Sequence, residues 1–388
     1  MLCHSAPDCC RPMSSGPSSP TSRGSPVHHT AQPYDEKLSS IPARSLSLTG
    51  LEVAGKPYKI FAGSVASQPL ATKVADLLKT TLGTIKVGRF SDGEIQIKIL
   101  ENVRSIDVYI VQSTCPPVNE HLMELLLLIR TFKRSSAASV TAIVPYFGYA
   151  RQDRKVEPRV PISASDVAIF LEAAGVDRVM TVDLHTGQIQ GFFHSCPVDN
   201  LTANLEIVRH MSEHRESLGL NASDKICVVS PDAGGVARAK EFMENMFICG
   251  FKPTLAITIK QRLQAGVVGD MHVVGNIAGC HCIIVDDICD TAGTLCKSVE
   301  TLLQMGATKV SACITHPIMS GQALQRVRDS GLTFMIVSDT IPALPDLPDK
   351  IHVVSVAKLI AAAVRCITDG TSMSDLFRLK PTHTSENL

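Results

Sequence analysis

Asp286 and Asp287 stand directly after four apolar residues, Cys282 to Val285, and are followed by Asp290-Thr291-Ala292-Gly293-Thr294. Small residues that open a helix present backbone N–H groups and the positive end of the helix dipole, which together cradle a phosphate. Thr291 and Thr294 add hydroxyl donors. The two carboxylates beside such a cradle suit sugar hydroxyls as acceptors, or Mg²⁺ through water. The plainer reading is a helix cap with a solvated acidic rim. The nine-residue run behind a hydrophobic strand favours a phosphosugar site. It is not a Walker loop, because no Gly-Lys-Ser/Thr follows.

Five other stretches carry chemistry of the same kind. "PDAGGVARAKEF" (231–242) sets Asp232 before Gly234-Gly235, where a backbone can approach a ligand closely. "LHTGQIQGFF" (184–193) places His185 two residues after Asp183, as a metal ligand, a phosphate contact or a structural histidine. "GYARQDRKVEPR" (148–159) supplies Arg151, Arg154, Lys155 and Arg159, enough positive charge for a triphosphate, or simply a solvated basic loop. "GRFSDGE" (88–94) offers Phe90 as a ring to stack on a base, with Asp92 and Glu94 for its polar atoms; alternatively Phe90 is a core residue near a turn. "ITIKQRLQAGVVGDM" (257–271) puts Lys260 and Arg262 two apart, before Gly266 and Gly269. Two cations leading into a glycine-bearing loop suit an anionic transition state that must be sealed from water. Their plainer reading is a pair of exposed cations on an edge strand.

The Asp286, Asp232, His185 and Arg151 stretches each follow one of a series of short apolar runs: "YKIFAG", "DVYIVQS", "VTAIVPY" and "RVMTVDL", then "KICVVSP", "CIIVDDI", "KVSACITH" and "TFMIVSD". β-branched runs alternating with helical stretches predict an α/β fold with mostly parallel sheets buried on both faces. In such sheets ligands bind outside the carboxyl ends of the strands. "HLMELLLLI" (121–129) predicts a buried helix, and a last helix over about 355–368 is stopped by Gly370.

Bulk composition narrows the partners. The 388 residues are 45% apolar but only 4% aromatic, so the core is aliphatic, and the length suits two α/β domains. Lys+Arg and Asp+Glu are 37 each, which argues against bulk binding to nucleic acid or an anionic membrane. No apolar run approaches the roughly 18 residues of a membrane span. Many of the 13 cysteines sit inside apolar strands, which points to reduced thiols and a cytoplasmic location. Residues 1–55 are rich in Ser and Pro and read as a disordered tail or a targeting extension. "CHSAPDCC" (3–10) lacks a partner pair at zinc-ligand spacing.

Taken in order, "VGRFSDGE", "VQSTCPPVNEHLMELL", "PYFGYARQDRK", "VDLHTGQIQGFF", "PVDN", "VSPDAGG" and "VDDICDTAGTL" resemble the ribose-phosphate diphosphokinases, also called phosphoribosyl pyrophosphate synthetases. The likeness runs from about Lys56 to Phe377. It implies two tandem type I phosphoribosyltransferase-like domains. The first spans 56–200 and is joined by the segment at about 365–378; the second spans 201–364, and 379–388 is a tail. It implies transfer of a diphosphoryl group from Mg-ATP to ribose 5-phosphate, with Mg²⁺ as cofactor. Phe90, Asp92, Glu94, Arg151, Gln152 and His185 then look like the ATP site. His185 and Asp232 look like metal ligands. Asp232, Asp286, Asp287 and the run Asp290, Thr291, Ala292, Gly293, Thr294 look like the ribose 5-phosphate site, and Lys260 and Arg262 like the catalytic cations. The family also implies a homo-oligomer, commonly a hexamer built from dimers, in which "GRFSDGE" serves a neighbouring subunit. Inorganic phosphate and ADP are the implied effectors, acting near Arg104, Ser372 and Ser374.

Two departures stand out. "GFFHSCPVDN" carries one residue more than the family's usual loop, with His194 where Asp is common, and Ser105 stands where Gly often follows Arg104. They bear on the effector response. A base phosphoribosyltransferase shares the sugar-phosphate run but would not need "GRFSDGE" or "ARQDRK". A non-catalytic synthetase relative would have lost members of the set Asp286, Asp287, Thr294, Lys260 and Arg262, all present here.

Overall fold

The computed structural model describes residues 57–260, 271–343 and 345–376, less the side chains of Lys260, Met271 and Asp375. The extension 1–55, Arg262 with the loop around it, and the tail from 377 lie outside the described residues.

All eight predicted apolar runs are strands. The first half contains β1 (Tyr58–Ala62), α1 (Gln68–Leu77), β2 (Ile85–Arg89), β3 (Ile95–Ile99), β4 (Asp107–Val111), α2 (Val118–Arg134), β5 (Ser139–Val144), α3 (Ser163–Ala174), β6 (Arg178–Val182) and β7 (Val198–Leu201). Its five-stranded sheet has the order β1-β4-β5-β6-β7, parallel throughout. The second half contains α4 (Asn204–Glu213), β8 (Lys225–Ser230), α5 (Val236–Ile248), β9 (Thr254–Lys260), β10 (Met271–Val274), β11 (Cys280–Cys289), α6 (Gly293–Gln304), β12 (Lys309–Pro317), α7 (Ala323–Asp329), β13 (Leu332–Ser338), β14 (Ile351–Val354) and α8 (Ala357–Asp369). Its seven strands run β10-β9-β8-β11-β12-β13-β14, parallel except for β10. β2 and β3 form a separate antiparallel hairpin.

Helices cover the sheets because their apolar residues recur at helical spacing. α2 buries Leu125, Leu128, Ile129 and Phe132, and Phe132 packs on Phe61 of β1 with ring centroids 4.6 Å apart. The run "HLMELLLLI" is nevertheless not buried all round: Met123 and Leu127 face solvent, because a 3.6-residue period carries them off the core stripe. One core cluster joins Ile60, Tyr109 and Ile143 of the first sheet to Ile283, Val285 and Ile336 of the second. α8 stops at Gly370, whose φ of +66° is the left-handed conformation the predicted cap requires. That helix returns to the first half, where Arg365 Nη2 donates to the Leu77 carbonyl at 3.1 Å.

The strand ends position the site. β8 pairs with β11 only as far as Val229–Ile284, whereas β12 follows β11 on to Cys289. β11 therefore runs on through Asp286 and Asp287, beyond the end expected at Val285. With its β8 neighbour gone and its β12 neighbour kept, that stretch of β11 borders an open crevice.

Candidate active site

The crevice is a cleft of about 330 Å³ lined by Arg151, His185, Asp232, Asp286, Asp287 and the run Asp290 to Thr294. Most of the residues singled out from sequence thus meet in one place, although they come from four separate strand ends.

The first side is built by β11 and α6. Ala292 caps α6 with a φ of +58°. An alanine in the left-handed region is strained, and such strain persists where the surroundings impose it. Here Arg326 Nη1 donates to the Thr291 carbonyl at 2.7 Å, and Ser320 contributes its N–H to the Asp290 carbonyl at 3.0 Å and its hydroxyl to the Asp290 carboxylate. The loop is held from both sides. Asp290 also accepts from Arg151 Nη1 at 2.7 Å. The Ser320 hydroxyl, followed by Arg151, keeps the Asp290 carboxyl below its ordinary range.

The second side comes from β6. Asp183, with φ +43°, accepts the Ala203 N–H at 3.0 Å and the Thr315 hydroxyl at 2.7 Å through Oδ2. The carbonyl of Asp183 lies 3.1 Å from His316 Nε2. These bonds tie the loop after β6 to β12 of the other sheet. Two residues on, His185 Nδ1–H donates to Asp287 Oδ2 at 2.8 Å.

Charge is concentrated on the carboxylate pair. Burial and the adjacent Asp287 push the Asp286 carboxyl up to about 8. Burial acts against Asp287 as well, but the His185 hydrogen bond and the Arg238 guanidinium hold it down at about 2. Two like charges this close do not both ionise freely; one is stabilised and its neighbour is driven toward neutrality. Asp287 in turn raises His185, chiefly through the hydrogen bond. Asp232 Oδ1 accepts the Gly235 N–H at 2.9 Å at the start of α5.

Other expected site residues lie elsewhere. Phe90, Asp92 and Glu94 form the exposed tip of the β2–β3 hairpin, closed by Phe90 N–H to the Glu94 carbonyl at 2.8 Å, and do not line the cleft. Gln152 does not line it either; its Oε1 accepts from Ser163 at 2.5 Å. Arg104 Nη1 donates to Ser136 Oγ at 3.3 Å, and Ser372 pairs with Ser374 at 2.9 Å. Lys260 ends β9, but its side chain and all of Arg262 lie outside the described residues. The unusual "HSC" loop is caught by Glu172 Oε1, which accepts the N–H groups of His194, Ser195 and Cys196 at 2.8, 2.5 and 3.1 Å.

Arg238, Ser320 and Arg326 were not singled out from sequence. Each is polar and lies within a helix or loop that reads as ordinary surface. Only the position of Arg238 one turn beyond "DAGG", next to a strand end, hinted at a role.

Comparison with known proteins bears on 81–84% of the chain. Residues 58–175 match the family model for the N-terminal domain of ribose phosphate pyrophosphokinase, and residues 256–378 match that for the phosphoribosyl synthetase-associated domain. A ribose-phosphate pyrophosphokinase of Shewanella oneidensis is 46% identical over 322 residues, 82% of this chain and 98% of the relative. One from Thermosipho africanus is 44% identical over 328 residues, 84% of this chain and all of the relative. The crystal structure of phosphoribosylpyrophosphate synthetase from Mycobacterium smegmatis superposes with a TM-score of 0.74 at 37% identity, covering 81% of this chain and 100% of that one.

Proposed function

The chain belongs to the ribose-phosphate pyrophosphokinase family, and from that premise we infer how its own residues carry out the reaction. It transfers the diphosphoryl group of ATP to the 1-hydroxyl of ribose 5-phosphate, giving phosphoribosyl pyrophosphate and AMP. One observation supports this use of the cleft above the others: the carboxylate pair Asp286–Asp287 adjoins the strained Asp290–Thr294 cradle and is hydrogen-bonded to a histidine from the other half.

The 5-phosphate sits in the cradle, bound by N–H groups at the start of α6 and by the Thr291 and Thr294 hydroxyls. Asp286 and Asp287 accept from the ribose hydroxyls. A sugar gripped at these points presents its 1-hydroxyl toward ATP. That oxygen attacks the β-phosphorus in line, and the bond from this phosphorus to the oxygen bridging to the α-phosphorus breaks. AMP leaves with the bridging oxygen, and the hydroxyl proton passes to solvent. Lys260 and Arg262 neutralise the charge that spreads over the moving diphosphoryl group. Positioning accounts for much of the acceleration in such a transfer.

The donor set fits Mg²⁺. Asp232 supplies a hard oxygen, and no group of three or more His, Cys, Asp or Glu is gathered as a metal cage among the described residues, which suits an ion that takes most of its ligands from water and phosphate oxygens. His185, with Nδ1 committed to Asp287, retains Nε2, and the carboxylate behind it makes the ring a better ligand. Asp232 and His185 are the residues that would hold the ion, which when bound draws charge from the phosphate oxygens.

The exposed Phe90 hairpin belongs, in this reading, to the ATP site of a neighbouring subunit, with Asp92 and Glu94 on the base and Arg151 and Gln152 toward the phosphates. The assembly is a homo-oligomer, a hexamer built from dimers. Inorganic phosphate and ADP regulate it through Arg104, Ser372 and Ser374. The two sheets belong to domains 56–200 and 201–364, with 365–378 returning to the first. The ten cysteines among the described residues are all free, which supports a cytoplasmic location. No helix among those residues is long and apolar enough to cross a membrane.

The test is AMP release from ATP, Mg²⁺ and ribose 5-phosphate, with and without inorganic phosphate. AMP that forms only when ribose 5-phosphate is present is expected. No AMP under either condition would favour a non-catalytic synthetase relative.

A further inference from the structure

Arg238 is the third residue of α5, where local electrostatics oppose it. A cation in the first helical turn meets the positive end of the macrodipole. Its side chain is also only 15% exposed, so it has given up most of its water. Its partners explain why it is there. Nη1 lies 3.0 Å from Asp287 Oδ1 and 3.6 Å from Asp286 Oδ1. Nη2 donates to the His185 carbonyl at 3.4 Å. The His185 ring holds the other oxygen of Asp287. Asp287 is therefore clamped between a cation from α5 and an imidazole from the loop after β6. Arg238 itself does not line the cleft.

We propose that Arg238 is a positioning residue for ribose 5-phosphate, acting on the sugar only through Asp286 and Asp287. Adjacent carboxylates repel, and without a counter-ion they move apart. The guanidinium holds both in one arrangement and joins them to the segment that carries His185.

The inference rests on the reading of Asp286 and Asp287 as sugar-hydroxyl acceptors. Its test compares Arg238→Met and Arg238→Lys with wild type, in steady-state kinetics and in calorimetric binding of ribose 5-phosphate alone. Arg238→Met is expected to lower kcat/KM for ribose 5-phosphate about 100-fold, the loss that follows a misplacement of roughly 1 Å. The loss should fall mainly on KM, with KM for ATP unchanged. Arg238→Lys restores the charge and should recover part of that loss. A folded Arg238→Met protein with wild-type KM for the sugar would overturn the inference. So would a fall in kcat alone with both KM values intact, which is what a scaffold role predicts. If Arg238→Met does not fold, Arg238→Lys decides: a raised KM for the sugar alone supports the role, and a wild-type KM sinks it. A wild-type chain that binds ribose 5-phosphate but forms no AMP would overturn the proposed reaction. The calorimetric arm would still judge Arg238 by the same shift in Kd.

Discussion

His185 and Asp287, 102 positions apart in sequence, share a hydrogen bond of 2.8 Å between Nδ1 and Oδ2. One residue follows a strand of the first sheet and the other lies within a strand of the second. The bond sets the tautomer of the histidine and the rotamer of the carboxylate at once, and it aligns the two halves of the site together with the Arg151–Asp290 pair and the bonds of Asp183 to Thr315 and His316.

Replacing Asp287 by Asn keeps the shape and removes the charge. Arg238 then keeps only Asp286, 3.6 Å away, whose carboxyl ionises more readily beside a neutral amide, so the change costs about 1.5–3 kcal/mol, that of one hydrogen bond to a charged group. Chemical denaturation should show a loss of that size, together with a fall in kcat/KM for ribose 5-phosphate. A variant as stable as wild type would show that the Arg238–Asp287 contact is not formed in solution.

Lys260→Ala and Arg262→Ala should each lower turnover by roughly 10²–10³, as expected for one lost transition-state donor. Binding of ATP should change little. Wild-type turnover in either variant would remove that residue from the catalytic pair.

Phe90 stands half-exposed at a hairpin tip that does not line the cleft of its own chain. If it stacks on the adenine of a neighbouring subunit, Phe90→Ala forfeits about 1–3 kcal/mol of stacking, and KM for ATP rises roughly 5- to 150-fold. KM for ribose 5-phosphate should stay where it is. An unchanged KM for ATP would remove the hairpin from the nucleotide site.

Glu172 satisfies three consecutive backbone N–H groups in the loop that carries the extra residue. Glu172→Ala leaves those donors to water and should lower stability by about 1–3 kcal/mol. Thermal melts would register the change. Hydrogen exchange at positions 194–196 should quicken, and unchanged exchange there would mean the loop is held by something else.

His281 predicts a pH dependence. It is fully buried on β11, where burial pushes the imidazole down to about 4 from its ordinary 6.5, and Nε2 lies 2.8 Å from Ser311 Oγ. Because the folded value is the lower one, the unfolded chain binds the proton more readily. Stability is therefore complete above pH 6.5 and falls as the solution is acidified toward pH 4. The slope from this residue is at most about 1.4 kcal/mol per pH unit. Urea midpoints measured across that window should fall less steeply in His281→Gln than in wild type. Parallel curves would show that His281 does not carry the effect.

The repeating strands were legible because sheets buried on both faces leave a one-dimensional trace, a run of β-branched residues every few tens of positions. All eight such runs form strands. The short strands β2, β3, β7, β10 and β14 were harder to see. β7 is the polar-looking "VDNL", and β10 has only four residues. Their pairing is fixed by neighbours distant in sequence rather than by their own composition. The extension of β11 through Asp286 and Asp287 is set by the same kind of long-range pairing. Two aspartates disfavour a strand locally, and the β12 ladder overrides them.

The sequence by itself determined the fold class, the strand-end placement of the chemical groups and the small-residue opening of α6, since each rests on residue types at short spacing. Only the tertiary structure decided which of those groups share a cleft. It brings Arg151, His185, Asp232 and the β11 carboxylates together, and leaves the Phe90 hairpin and Gln152 outside that cleft. It also revealed Arg238, whose meaning depends on a carboxylate 49 positions away (287 less 238) and a carbonyl 53 positions away. Local sequence carries propensity and period. The sign and strength of an electrostatic contact depend on distance and burial, and those exist only once the chain has folded.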